Sequence, residues 1–362
     1  MMNLGFVFAV VPLALMVLAK EERQCKCVPY DACPDENDRA DELFHANRLC
    51  DRYTDVCCKL PMHETSSPPT PLSVFAHKEG CGRRNYDRVG SLTPGDLAQI
   101  GEFPWVVAVT RVDHQEGEEE STEAQTVYHC GGSLIHPKVV LTGAHCVAGK
   151  ENHQLKIRAG DWNTRSNAGG RYFQERFVDR IVVHEDFNGG NLFNDVALLF
   201  LSEPVDRSNN IGFACLPTQG FVPTPGTRCL ATVWEKDDID RKSKTSGYQP
   251  ILKKIELPMV ARPECEAALR NTTLGRHFKL HQSFICAGGE QGKDTCKGDG
   301  GSPLVCQVPN NPSTYAQTGI VAWGIKCGQN KVPGVYANVA FFRNWIDDHI
   351  HKAHLDTTYY SY

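Results

Sequence analysis

From residue 81 onward, apolar residues recur in short runs broken by Gly, Pro and Asn. Segments 105–111, 139–142, 155–159, 181–183, 196–201, 229–234, 320–323 and 335–339 are rich in β-branched or apolar residues and are predicted as strands. No long helical pattern separates them, so an all-β sandwich or barrel is expected. Near the end the period changes. Phe342, Trp345, Ile346 and Ile350 recur at helical spacing, with Arg343, Asp347 and Asp348 on the other face, which predicts a C-terminal helix.

Ahead of residue 81 the pattern is different. Residues 4–19 form an apolar run of 16, followed at once by Lys20-Glu21-Glu22-Arg23. That is short for a membrane span, and Val17-Leu18-Ala19 places small residues where a signal peptidase reads them. Residues 1–19 are therefore read as a signal peptide, and the protein as secreted, with no membrane span. Cys25, Cys27, Cys33, Cys50, Cys57 and Cys58 then fall within 25–58, a stretch with too few apolar residues for a core and in need of covalent staples. Residues 59–80 contain Ser66-Ser67-Pro68-Pro69-Thr70-Pro71, which favours an extended spacer. A large region at 81–353 and a tail at 354–362 complete the chain.

Composition sharpens this reading. Of 362 residues, 41% are apolar and 22% charged, ordinary globular usage that excludes wholesale disorder. Against 38 Lys and Arg stand 43 Asp and Glu, a net charge of −5, which argues against nucleic acid or an anionic membrane surface as partner. The 16 cysteines point to an oxidising compartment. In the 25–58 cluster the usual zinc-ligand spacing is absent, and secretion favours disulfides, although cysteine arithmetic alone leaves many pairings open.

Three segments of the large region carry chemistry when taken together. Leu141-Thr142-Gly143-Ala144-His145-Cys146 offers a histidine beside a cysteine. Asn194-Asp195-Val196-Ala197 places an acid at the start of an apolar strand. Gly298-Asp299-Gly300-Gly301-Ser302-Pro303 is a glycine-rich turn entering another strand. In this order they resemble the chymotrypsin-like serine proteases, over roughly 81–353. The resemblance implies a double β-barrel with a C-terminal helix. It also implies the pairings Cys81–Cys215, Cys130–Cys146, Cys229–Cys306, Cys265–Cys286 and Cys296–Cys327. The order C-x-C, C, C, CC in the first cluster resembles the clip domain of arthropod extracellular proteases, which implies Cys25–Cys57, Cys27–Cys50 and Cys33–Cys58.

The protease mechanism passes a serine proton to a histidine oriented by an aspartate. His145 and Asp195 match the base and its orienter, but the nucleophile position is Gly300, which has no side chain. The expected triad is degenerate. Ser302 lies two residues downstream, and an active protease using it is the remote alternative. Backbone N–H groups of Gly298 and Gly300 match an oxyanion hole. Asp294 matches the acid at the base of a trypsin-like specificity pocket, with Gly324 and Gly334 as its small walls. Lys326 stands where a glycine is usual at the rim, and Ala322 where a serine is usual. The activation start aligns near Leu92 after Ser91, which is not a trypsin-like cleavage residue, and the usual amine partner of Asp299 is therefore not expected.

These departures resemble the non-catalytic clip-domain serine protease homologues of arthropod haemolymph. The resemblance implies a cofactor or scaffold role in prophenoloxidase activation, with an upstream clip-domain protease and prophenoloxidase as partners and self-association after cleavage. A pattern-recognition or adhesion role on the same scaffold is the alternative. Cleavage is expected inside the clip domain, at Arg39 or Arg48, since exposed loops are favoured for nicking. Glu116-Gly117-Glu118-Glu119-Glu120 is a solvated acidic loop that could steer a basic partner. Asp161 and Glu175 are weak calcium candidates, no cofactor being required, and Asn271-Thr272-Thr273 is an N-glycosylation sequon.

Overall fold

A computed structural model describes residues 26–29, 55–58, 80–85, 96–113, 125–162, 173–234, 251–296 and 298–362. The chain divides into two units, Met1–Leu72 and Ser73–Tyr362. In the first, β1 (Lys26–Pro29) pairs antiparallel with β2 (Asp55–Cys58), with Cys27 opposite Cys57. The three pairings expected in this module, and Arg39 and Arg48, lie outside the described residues, as do Leu92 and the acidic loop at 116–120.

The second unit is built from two closed six-stranded barrels. In the first barrel, β3 (Val106–Asp113), β4 (Gln125–His136), β5 (Val139–Thr142), β6 (Leu155–Ala159), β7 (Gln174–Val183) and β8 (Ala197–Leu201) close in the order β3-β4-β5-β8-β7-β6. The second barrel uses β9 (Arg228–Val233), β10 (Lys253–Val260), β11 (Phe284–Gly288), β12 (Pro303–Val308), β13 (Asn311–Trp323) and β14 (Pro333–Asn338), closing as β10-β11-β14-β13-β12-β9. Closure removes the open edges that antiparallel sheets otherwise expose.

Alternation decides which side chains fill each barrel. In β6, Leu155, Ile157 and Ala159 are buried while Lys156 and Arg158 are half-buried on the other face, the period of two that strands impose. Val107, Leu134, Val140, Ile157 and Leu199 fill the first core; Ala231, Leu257, Leu304 and Tyr336 fill the second. Each buried Val, Leu or Ile among them contributes about 1.5–3 kcal/mol relative to exposure. Between the barrels, Trp105, Trp234, Val305 and Tyr315 form a shared cluster, and Ser133 hydrogen-bonds Gln317 across the seam.

Among the described residues, three α-helices decorate this frame: α1 (Ala144–Val147), α2 (Arg262–Arg270) and α3 (Val339–Lys352). Phe342, Ile346 and Ile350 of α3 are buried against both barrels. The segment read as a tail is part of the body. Thr357–Tyr360 forms a single 3-10 turn, Tyr360 is fully buried, and its hydroxyl donates to Asp347 at 2.7 Å. Leu216 N–H donates to the Tyr360 carbonyl at 2.9 Å. Among the described residues, no helix is long and apolar enough to cross a membrane.

Disulfides join Cys81–Cys215, Cys130–Cys146, Cys229–Cys306, Cys265–Cys286 and Cys296–Cys327. Residues 80–85 lie against the body. Gly82 N–H donates to Phe213 at 2.7 Å, and Gly82 accepts from Tyr315 N–H at 2.8 Å. Arg84 and Lys254 both pair with the buried carboxylate of Glu102, Lys254 at 2.9 and 3.0 Å. A third donor, Gln99 N–H, reaches the same carboxylate at 2.7 Å.

Candidate functional site

β5 ends in Thr142 and hands the chain to α1, which projects His145 toward the seam between the barrels; the Cys130–Cys146 disulfide fixes α1 to β4. Asp195 arrives from the opposite side, immediately before β8, and is fully buried. Its two oxygens divide their work. Oδ1 accepts from His145 backbone N–H at 2.8 Å, and Oδ2 faces His145 Nδ1 at 2.6 Å. The acid thus fixes both the backbone and the ring of the histidine, the orienting geometry of a catalytic dyad.

The third position departs from that chemistry. Gly300 lies in the turn before β12, held to β4 by Gly131 N–H donating to the Gly300 carbonyl at 2.9 Å. A Cβ placed on Gly300 would meet His145 Nε2 closer than any real Cβ contact, with Cε1 at 3.1 Å and Cδ2 at 3.4 Å. The imidazole occupies the space a nucleophile's side chain would need. Ser302 offers no replacement. It is 1% exposed, its Oγ is buried without a hydrogen-bond partner, and it packs onto Gly131, where an added Cβ would meet Ser302 Cα at 2.8 Å. A hydroxyl so placed faces β4 rather than solvent, where a substrate would arrive.

Asp299 is fully buried; its Oδ2 accepts from Cys296 N–H at 2.7 Å. Gly298 has φ +103°, a left-handed backbone that suits glycine. Asp294 is 8% exposed and accepts from Thr295 N–H at 2.9 Å and Gly328 N–H at 3.1 Å. Burial pushes its carboxyl up to about 6, against the opposing pull of those two N–H groups. On one side of it a Cβ on Gly334 would sit 2.9 Å from Asp294 Oδ1, so only glycine fits. Gly324 is exposed and borders open space. Lys326 is exposed, with φ +53°.

Two further residue groups test for metal. Asp161 and Glu175 both face Arg158, whose Nε lies 2.6 Å from Glu175 Oε1 and whose Nη1 lies 3.9 Å from Asp161 Oδ2. A guanidinium already supplies the positive charge between them, so the pair does not fit the bare oxygen cage that calcium takes. Cys130, His145 and Cys146 lie close together, but the two sulfurs are bonded to each other and offer no thiolate. Asn271 is exposed at the C-terminal end of α2. The donors that satisfy Asp294 and the packing of Ser302 were not visible in the sequence, because both depend on main-chain approach across the fold.

Comparison with known proteins agrees with this geometry. The trypsin family profile matches residues 92–346. Phenoloxidase-activating factor 2 of Galleria mellonella is 46% identical over 305 residues, covering 83% of this chain and 99% of that protein. The inactive CLIP domain-containing serine protease A8 of Anopheles gambiae is 36% identical over 342 residues, covering 89% and 87% respectively. Protein masquerade of Drosophila melanogaster is 34% identical over 269 residues, covering 74% of this chain and 23% of its own length. With a double barrel, a His–Asp pair and relatives of this kind, the chain belongs to the trypsin family, as a clip-domain serine protease homologue.

Proposed function

We propose that the protein is a secreted pseudoprotease that serves as a cofactor or scaffold in an extracellular immune cascade, most directly in prophenoloxidase activation. The observation that carries this reading is Gly300, whose missing side chain leaves its space to the ring of His145. Hydrolysis by this mechanism needs an oxygen within about 2.6–3.2 Å of the base, and Ser302 is buried on Gly131 instead. The names of the relatives support the same reading: two are phenoloxidase-activating factors and several are inactive CLIP proteases. In this proposal an upstream clip-domain protease cuts the chain, which then presents prophenoloxidase for productive cleavage. The two barrels preserve a surface for partners.

The test is reconstitution. Clip-cleaved protein is mixed with an active clip-domain protease and prophenoloxidase, and phenoloxidase output is compared with and without it. A rise in output supports the cofactor role; unchanged output across a range of ratios refutes it. Pull-down on microbial polysaccharide in place of prophenoloxidase would favour the pattern-recognition reading.

A further inference from the structure

The loop after β13 holds two lysines in an unusual backbone. Lys326 has φ +53° and Lys331 has φ +64°, and both side chains are exposed. The left-handed region is disfavoured for any residue with a Cβ, and glycine would adopt it freely, as Gly328 does at φ +70° between them. Strain kept at exposed positions points to a use for the side chains.

The loop is rigid. The Cys296–Cys327 disulfide ties it down, Gly328 N–H donates to Asp294 at 3.1 Å, and Gly292 N–H donates to the Gly328 carbonyl at 2.9 Å. Lys331 N–H donates to the Gly289 carbonyl at 2.8 Å. The backbone that carries both cations is thus fixed before any partner arrives, while their side chains stay in solvent. Neither forms an ion pair with a described acid. Glu290 is taken by Arg228, and Asp294 turns its oxygens to the N–H groups of Thr295 and Gly328.

Beside Lys326 is a pocket of about 310 Å³, walled by Asn271, Thr272, Thr273, Ile325, Lys326 and Gln329. Its lining is mixed: the amides of Asn271 and Gln329, the Thr273 hydroxyl and the Lys326 ammonium can hold a carboxylate and the main chain that carries it, while Ile325 adds an apolar wall and the Thr272 hydroxyl already donates to the Leu269 carbonyl at 2.6 Å. We propose that this pocket and the Lys326–Lys331 loop form a docking site for an acidic segment of a partner protein, with Lys326 pairing with a carboxylate seated in the pocket. This loop therefore selects a charge opposite to the one that buried Asp294 would select. The proposal rests on the non-catalytic reading of the cleft, which leaves this face free for binding.

The experiment uses the full chain and a fluorescein-labelled Glu decapeptide, with Gln and Lys decapeptides as controls, read by fluorescence anisotropy. The Glu peptide alone is expected to bind. Lys326→Gly, which relieves the backbone as it removes the charge, is expected to weaken binding at least tenfold while keeping the melting temperature. Rising salt weakens a charge-driven contact further. Lys352→Gln, at the end of α3, is expected to bind like wild type. Equal binding by wild type and Lys326→Gly overturns the site, as does an equal loss in Lys352→Gln.

Each protein is measured before and after digestion with an N-glycosidase. A glycan on Asn271 whose presence abolishes peptide binding would overturn the docking site in favour of a modification site. Fluorophosphonate labelling would sink the non-catalytic reading while leaving peptide binding untouched, so the two failures are distinguishable.

Discussion

Restoring the missing serine is the sharpest test of the cleft. In Gly300→Ser the new Cβ must enter space held by His145 Nε2. The ring has to shift by about 1 Å to recover ordinary contact, and a shift of that size disturbs the 2.6 Å Nδ1–Asp195 hydrogen bond. A hydrogen bond to a charged group is worth about 1.5–3 kcal/mol, and overpacking a filled site costs about 1–3 kcal/mol. Part of each is recovered by relaxation, so a net destabilisation of about 2 kcal/mol is expected. For a domain of this size that lowers the melting temperature by roughly 4–8 °C. Scanning fluorimetry measures the shift, and Gly300→Ala separates steric cost from chemistry by showing the same loss. A fluorophosphonate probe and an arginine peptide read activity, and neither is expected to report any. A Gly300→Ser protein as stable as wild type that hydrolyses the peptide would refute the reasoning.

Four other outcomes follow from the same structure. His145→Ala leaves the fully buried Asp195 with one donor fewer. About 3 kcal/mol should be lost, and the double variant with Asp195→Asn should recover part of it in urea denaturation; no recovery would argue against a buried charge. Glu102→Gln strips the partner from Arg84 and Lys254 and is expected to cost about 3 kcal/mol, read as a lower urea midpoint at unchanged slope. Asp294 is protonated up to about pH 6 in the native state against a usual 3.8. The native protein therefore binds the extra proton between about pH 4 and 6, and this group's contribution to stability falls as pH rises through that window. Asp294→Asn should flatten the fall, by about 2–3 kcal/mol between the two ends; an unchanged slope would show that another group sets it. Arg158→Ala should raise calcium affinity at Asp161 and Glu175 above the wild type, measured by titration calorimetry, if the guanidinium is what fills that site.

Much of this architecture could be read from residue patterns. β6 and β8 are legible because Leu155, Ile157 and Leu199 alternate or run together where a barrel wall needs them. β4 is not, since Cys130-Gly131-Gly132 reads as a turn; the glycines are there because Val107, Val140 and Ser302 crowd the strand. Pro258 hides β10, although the strand pairs with β9 along most of its length. The terminal residues look polar and loose, yet Tyr360 is drawn inside by Leu216, Asp347 and the Arg343 guanidinium 4.9 Å from its ring. At the site, the order His145, Asp195, Gly300 is plain in the sequence. The seating of His145 in the vacated space is not, because it depends on a contact between segments more than 150 residues apart.

The docked segment at residues 80–85 determines what proteolysis can achieve. Any cut between Asn85 and Asp96 leaves the upstream part joined to the barrels through Cys81–Cys215, and Arg84 stays clasped by Glu102. Nicking there liberates no fragment. It converts one chain into two that travel together, so whatever the upstream part binds stays covalently attached to the barrels. Two weak contacts on a shared tether then act with the avidity of one strong one, and reduction of a single disulfide would be the step that dissolves it.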